Sequence, residues 1–294
     1  MLHAAVFLWG CTAILGKFIS YGSLELVWHR VLVAGPAYLL VPGTFGQLRA
    51  CSWKTIAKLS GIGCLLAVYW LIFYGSIKMG DSASITLATA SLSTLFSALF
   101  QPLLIKGSKW ERRDLILGFV VLLGTLCIVY SLPSNPTSLN AQPRAAALLG
   151  CLASFVGTFL TLFNKLCIDD ASALALNCIE LTSGAFFLTV VVAVRHSPTT
   201  KLYPTSERDA VALVVLALVC TTLTQWLATR SLKHLSVFTS VLAYNLEPVY
   251  GILLGGAVFH ENENLNAFFL PRRFDGGGRC LRGAVVRFLE HEGG

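Results

Sequence analysis

Five ionisable residues lie within long apolar segments of this chain: Lys17, Arg30, Lys165, Glu180 and Glu247. A charged side chain at the centre of a bilayer costs at least about 2.5 to 3.5 kcal/mol on insertion scales, so each of these residues needs a partner, an aqueous cavity or a function. Cations and carboxylates that face one another inside a helical bundle favour recognition of zwitterionic solutes such as amino acids.

Glu247 is the strongest candidate for a binding or coupling residue, because it lies near the middle of its apolar segment. The next residue, Pro248, cannot donate a backbone N–H to the preceding turn, so we expect a hinge that leaves a carbonyl free to meet substrate or water. In a cavity, Glu247 could bind a substrate ammonium group or carry a coupling proton. The alternative is a structural carboxylate that is hydrogen-bonded to neighbouring helices.

The other four charges divide into two matching pairs. Lys165 and Glu180 flank a short loop, and we expect them to form a buried ion pair, with a gate that opens when the pair breaks as the alternative. Lys17 and Arg30 occupy the corresponding places earlier in the chain, and their long stems predict anchors that reach the membrane interface. If they line a vestibule instead, they favour solutes that carry a carboxylate.

Polar and aromatic residues within the apolar segments complete a candidate cavity. These are Trp70, Tyr74, Gln225, Trp226, Tyr244 and Asn245. Each could equally pack the bundle core. One further segment is rich in small hydroxylated side chains, namely Thr86, Thr89, Ser91, Ser93 and Thr94. Such residues allow close helix approach and interhelical hydrogen bonds, so we predict a packing role first and pore lining second.

The elements that position these residues are apolar segments of membrane-spanning length. Hydrophobic residues make up 55% of the chain and charged residues 13%, against about 25% charged in typical soluble proteins. A helix needs roughly 20 apolar residues to cross a bilayer. We therefore predict an all-α, polytopic membrane protein. The predicted spans are 2–20, 24–42, 55–77, 83–104, 113–131, 145–167, 173–194, 209–229 and 235–259, with a defective tenth span near 265.

Other classes of site find little support in the sequence. The nine cysteines are scattered without a CxxC pair, and the histidines lie at span ends or in loops without clustering. No GxSxG, HExxH or P-loop motif occurs. We therefore expect no metal, no cofactor, no enzyme activity and no nucleic-acid partner. Two alternatives remain, namely a structural or receptor-like membrane protein and an inactive, truncated transporter.

Lysine and arginine predict the orientation, because they are retained on the cytoplasmic side during insertion. With a cytoplasmic N-terminus, nine of these residues fall in inside loops, from Arg49 to Lys233, and five in outside loops, from Lys78 to Arg208. This bias predicts that the N-terminus is cytoplasmic. The proline-rich segment 132–144 is then a periplasmic linker.

A weak internal repeat relates the two halves. Ser76-Ile77-Lys78 after the third span is echoed by Ser231-Leu232-Lys233 after the eighth, 155 residues later, and at this offset Trp70 aligns with Gln225. Five spans is an odd number, so two consecutive copies enter the membrane from opposite sides. Such inverted repeats bind substrate near the midplane, between the halves.

The chain resembles a known family in several segments. They are 3–17 (HAAVFLWG to GK), 27–30 (VWHR), 245–251 (NLEPVYG) and 259–261 (FHE). Together they are similar to EamA-type transporters of the drug/metabolite transporter superfamily. The resemblance implies ten helices in a 5+5 inverted-repeat bundle, a bacterial inner-membrane location and export of small metabolites. As partners we expect a small-molecule solute, the lipid bilayer, a coupling proton and, as a candidate homodimer, a second copy of the chain.

We predict four regions from this comparison. They are a first repeat at 1–131, the linker at 132–144, a second repeat at 145–269 and a basic, Gly/Arg-rich tail at 270–294. The tail has too many charges to cross a bilayer as a helix. It indicates a shifted reading frame or a sequencing error, with a native basic tail on the membrane surface as the alternative.

Overall fold

The computed structural model describes residues 1–80, 83–130, 142–195, 206–247 and 249–251. Every regular element among them is a helix, which confirms the all-α prediction. Pro248, the expected tenth span and the tail lie outside the described residues, as does the linker except for its last three residues. The side chain of Lys17 also lies outside them.

The described residues of the first half form seven α-helices and one 3-10 turn. They are α1 (Leu2–Phe18), α2 (Ser23–Ala37), the 3-10 turn Tyr38–Leu40, α3 (Thr44–Arg49), α4 (Trp53–Gly80), α5 (Ala83–Ala90), α6 (Ser93–Leu104) and α7 (Arg112–Tyr130). The second half, as far as it is described, contains α8 (Pro143–Cys167), α9 (Ala173–Val194), α10 (Glu207–Ala217), the π-helical turn Leu218–Leu223, α11 (Thr224–Leu232) and α12 (Val237–Tyr244).

Five helical segments in the described part of the chain are long and apolar enough to cross a membrane. They are Trp53–Gly80, Ile85–Leu104, Pro143–Cys167, Ala173–Val194 and Glu207–Leu232. Large apolar side chains remain exposed along these segments, for example Leu148 and Phe186. Such a surface is expected where a helix faces acyl chains.

The structure corrects several boundaries. The first span ends at Phe18 because Ile19 takes an extended backbone, and the second ends in the 3-10 turn rather than at residue 42. The short helix α3 occupies a segment that the sequence prediction left as a loop. Pro143 opens α8, so the predicted linker ends one or two residues earlier. Proline suits this first position because its N–H would have no helical partner there.

The packing of the helices repeats between the halves. Helix α4 packs on α8 and α9, and its counterpart, formed by α10, the π-helical turn and α11, packs on α1 and α2. The corresponding helices α2 and α9 pack on each other. Helices at matching places in the two halves therefore make similar contacts.

Two interrupted helices also correspond. The fourth span breaks at Ser91–Leu92, between α5 and α6. The ninth breaks at Asn245–Leu246, and helical bonding resumes with the N–H of Tyr250 donating to the carbonyl of Leu246 at 3.0 Å. The breaks are 154 residues apart, close to the repeat offset. In membrane proteins of known structure, interrupted helices of this kind often line an internal site.

Gly63 sets the close approach of α4 to α9, and this gives a stability prediction. A Cβ at Gly63 would collide with the backbone of Glu180 and the hydroxyl of Ser183, whereas a Cβ at Gly61 would meet open space. Gly63→Ala is expected to destabilise the bundle by about 1 to 3 kcal/mol through overpacking. Gly61→Ala should be neutral or stabilising, because alanine favours helix by about 1 kcal/mol over glycine.

Thermal unfolding of both variants in detergent, followed by circular dichroism, tests this prediction. Equal melting temperatures for Gly63→Ala and Gly61→Ala would show that α4 and α9 do not approach this closely.

Candidate functional site

A cavity of about 140 Å³ lies among helices of both halves, where the two broken helices meet. Both breaks line it, through Ser91 and Ser93 on one side and Asn245 and Glu247 on the other. Aromatic rings of α1, α4 and α12 supply much of the remaining wall, together with small and hydroxylated residues of α8 and α11. The cavity therefore combines apolar faces with a few polar groups, which is typical of small-molecule sites.

Arg30 is the cation of this cavity, and it is held rigidly. Its side chain is 1% exposed. Nε donates to Thr221 Oγ1 at 2.5 Å, Nη1 to Tyr74 Oη at 2.8 Å and Nη2 to the carbonyl oxygen of Cys220 at 3.3 Å. The guanidinium carbon also lies 4.1 Å from the centre of the Trp70 ring. These contacts fix the guanidinium plane and use three of its five N–H donors.

The π-helical turn supplies hydrogen-bond acceptors to Arg30. Cys220 and Thr221, which accept hydrogen bonds from the guanidinium, both lie in this turn. The neighbouring carbonyl of Thr222 accepts a hydrogen bond from Tyr38 Oη at 2.5 Å. A π-helical turn adds one residue to a helical turn and is frequent at functional sites. Here it presents a hydroxyl and backbone carbonyls of the second half to α2 of the first half.

Glu247 is the acidic residue of the cavity. It lines the same space as Arg30, and the charges of the two side chains act on each other. The preceding break is fixed on one side by Asn245, whose Nδ2 donates to Thr94 Oγ1 of α6. On the other side, the Tyr244 and Trp9 rings pack edge to face, with centroids 5.1 Å apart. Glu247 therefore follows a break whose position is set by both α1 and α6.

At the break in the fourth span, hydroxyl groups donate hydrogen bonds to the backbone carbonyl that the break leaves free. The carbonyl of Ala90 accepts hydrogen bonds from Ser93 Oγ at 2.8 Å and from Ser154 Oγ of α8 at 2.9 Å. Irregular backbone at membrane depth is tolerated where it is buried in protein or lines a cavity. The hydroxylated residues of this segment thus have both of the roles that the sequence suggested. Ser91 and Ser93 line the cavity, while Thr86 and Thr89 are buried among helices.

The structure brings together six of the residues that the sequence singled out. Arg30, Trp70, Gln225, Tyr244, Asn245 and Glu247 all line the cavity. Trp70 and Gln225, which align in the repeat, thus face the same space from opposite halves. Tyr74 lies behind the wall and binds Arg30, while Trp226 packs under Arg230, whose guanidinium carbon is 5.1 Å from its ring centre.

Two sequence predictions about charges were wrong. Arg30 does not extend to the interface, because acceptors on α4 and the π-helical turn satisfy it inside the bundle. The pair between Lys165 and Glu180 does not form. Lys165 Nζ instead donates to the carbonyls of Leu232, Lys233 and Leu235, at 2.8, 3.3 and 2.9 Å, where α11 ends and leaves these groups without helical partners.

Sequence reasoning missed several residues of the cavity wall. They are Trp9, Thr12, Tyr69, Ser154, Thr161 and Asn164. Asn164 could have been found, because an amide inside an apolar span is itself a signal of function. Tyr69 and Trp9 carry no such signal, since aromatic residues pack bundle cores as readily as they line sites.

The wall combines hydrogen-bond donors of Arg30 with the acceptor oxygens of Glu247. Two N–H donors of Arg30 have no acceptor among the contacts described above, and a carboxylate accepts two parallel bonds from a guanidinium. Glu247 can accept hydrogen bonds from an ammonium group in the same space. Aromatic and aliphatic side chains around them can hold an apolar substituent.

Comparison with known proteins supports the fold of the chain. Residues 144–270 match the model of the EamA-like transporter family. One solved structure, the crystal structure of a protein with 16% sequence identity, aligns with a TM-score of 0.66 over 87% of this chain and 86% of its own. No curated protein matches the chain. The predicted resemblance and the polytopic membrane fold are confirmed.

Proposed function

We propose that this chain, whose residues 144–270 match the EamA-like transporter family, is a secondary transporter that exports small zwitterionic metabolites by alternating access. Amino acids are the favoured solutes. The observation that carries this proposal is the pairing of Arg30 and Glu247 in one cavity between corresponding broken helices of the two halves.

Three further features support this function. The guanidinium of Arg30 is fixed by a hydroxyl, a phenol and a carbonyl, so the site is organised before a solute binds, which lowers the entropy cost of binding. The cavity lies at the contact of two halves, where a rocking motion would expose it alternately to each side. Its charges balance, so a zwitterion could enter without leaving either charge unpaired.

The proposal also covers the location and the orientation of the protein in the membrane. Lysines and arginines are concentrated in the loops that would be cytoplasmic if the N-terminus is inside, and we place the protein in a bacterial inner membrane in that orientation. Regions 1–131 and 145–269 are the two repeats that move against each other. A coupling proton and a homodimer belong to the same proposal.

Transport by purified protein in lipid vesicles tests the function. Vesicles loaded with unlabelled L-leucine are expected to exchange it for radiolabelled L-leucine outside, while adenine and tetraphenylphosphonium are excluded. The same assay with and without a pH gradient shows whether protons drive accumulation. Exchange no faster than in protein-free vesicles, for L-leucine and for a panel of the other natural amino acids, would overturn the proposal.

A further inference from the structure

Glu180 is a buried acid that the cavity chemistry does not use. Its side chain is 2% exposed, and its Oε1 has no hydrogen-bond partner among the described residues. The polar group beside it is the amide of Asn164 on α8, whose own Oδ1 is likewise buried without a partner. The amide of Asn164 hydrogen-bonds to the carboxyl group, which leaves Oε1 of Glu180 and Oδ1 of Asn164 as two buried acceptors without a donor. Unsatisfied buried oxygens of this kind call for an explanation.

A proton on Glu180 would give both of these oxygens a hydrogen bond, because one would donate it and the other would accept it. The protonated carboxyl group has one O–H donor, and the oxygen of Asn164 is a neighbouring acceptor. The charged carboxylate has no donor to offer. The geometry of this pair therefore fits a carboxyl group that binds a proton.

The position of Glu180 links this pair to the cavity. Asn164 is part of the cavity wall, and Thr229, another wall residue, donates to Oδ1 of Asn177 at 3.0 Å. Asn177 and Glu180 are three residues apart on α9 and so lie on the same helix face. Glu180 is therefore one side chain removed from the cavity, behind Asn164.

The repeat gives Glu180 a counterpart of opposite sign. Arg30 and Glu180 are each the eighth residue of their helix, α2 and α9, which correspond in the two halves and pack on each other. Arg30 finds three acceptors, whereas Glu180 keeps an unpartnered oxygen. The two positions have thus taken different roles, one as a fixed charge and one as a group free to change its charge.

Within the described part of the chain, the groups that interact with Glu180 do not include a compensating cation. Tyr38 of the 3-10 turn and Cys167 of α8 are the titratable side chains that interact with its charge from packed elements. Helix α4 approaches the backbone of Glu180 closely at Gly63, and Cys178 lies on the same helix as Glu180. The ammonium group of Lys165 does not pair with Glu180, because it donates hydrogen bonds to backbone carbonyls.

We propose that Glu180 and Asn164 form a proton-binding site at the cavity wall, separate from the solute site of Arg30 and Glu247, and that it couples proton movement to transport. This inference rests on the proposed transport function. In each cycle the carboxylate takes one proton from water in the cavity when the cavity faces one side. It returns that proton to water when the cavity faces the other side, so no further reactant is needed.

Infrared spectroscopy of the purified full chain in lipid nanodiscs tests proton binding without any solute. The wild type is expected to show a carbonyl band of a protonated, buried carboxylic acid that forms as the pH falls and that Glu180→Gln lacks. Asn164→Leu should shift this band, because the hydrogen bond to the amide oxygen is lost. Glu247→Gln should leave it in place. A band that persists in Glu180→Gln would overturn the assignment.

Transport assays then separate this inference from the proposed function. Glutamine is isosteric with glutamate and still donates toward Asn164, so Glu180→Gln should fold and exchange radiolabelled L-leucine at a rate within about twofold of wild type. It should lose accumulation driven by a pH gradient. If neither protein exchanges L-leucine, the proposed function fails. If Glu180→Gln still accumulates L-leucine against its gradient when driven by protons, only the proton site fails.

Discussion

Arg30→Lys is expected to weaken transport of carboxylate-bearing solutes by about thirtyfold or more. The guanidinium is held by three hydrogen bonds and stacks on Trp70, which orients its remaining donors as a fork. Lysine keeps the charge but has neither the planar fork nor the stacking face. A hydrogen bond to a charged group contributes about 1.5 to 3 kcal/mol, and a loss of about 2 kcal/mol is about thirtyfold in affinity.

The concentration dependence of L-leucine exchange in vesicles measures this effect. Arg49→Lys is a matched control, because Arg49 also stacks on a ring, that of Phe45 with its guanidinium carbon 4.5 Å from the centre, but lies in the exposed helix α3. This control should behave as wild type. Unchanged exchange affinity in Arg30→Lys would remove Arg30 from the solute site and leave it as a structural link between α2 and the π-helical turn.

The length of each apolar segment predicted the order of the helices well. Membrane-spanning segments must satisfy their backbone groups internally, so an apolar run of about 20 residues has few alternatives to a helix. This is why the predicted spans recur in the described residues with shifts of a few residues at their ends. The short helix α3 and the π-helical turn were missed, because neither changes the overall hydropathy of the segment that contains it.

One of the two helix breaks could be read from the sequence, and the other could not. Pro248 has no N–H to donate to the carbonyl of Tyr244, the residue at which α12 ends. The break at Ser91–Leu92 contains neither proline nor glycine, while Pro102 lies inside α6 without ending it. The hydroxyl group of Ser154 on α8 stabilises the freed carbonyl of Ala90, and such a tertiary partner leaves no local signal in the sequence.

The charged residues were identified by the sequence, but their partners were not. Apolar surroundings mark Arg30, Lys165 and Glu180 as unusual whatever the packing. Which way a long side chain points depends on acceptors that other helices bring close. Arg30 turned inward toward Thr221, and Lys165 turned toward the end of α11, where helix termination leaves carbonyls unpaired.

Glu247→Gln is expected to weaken transport of L-leucine by about tenfold to a hundredfold. Glutamine keeps the shape and one carbonyl oxygen, but it removes the negative charge that would meet the ammonium group. A hydrogen bond to a charged group contributes about 1.5 to 3 kcal/mol, which gives this range. The 2-oxo acid analogue of leucine keeps the carboxylate and side chain but has no ammonium group, so its transport should not fall in the variant.

A comparison of the two solutes therefore isolates the role of Glu247. Exchange of L-leucine and of its 2-oxo acid is measured in vesicles for wild type, Glu247→Gln and the control Glu111→Gln, in which an exposed carboxylate before α7 is neutralised. A selective loss of the amino acid places the carboxylate of Glu247 against the ammonium group, opposite Arg30. Equal losses for both solutes would instead mean that Glu247 supports the shape of the cavity, and zwitterion recognition would then have to be abandoned.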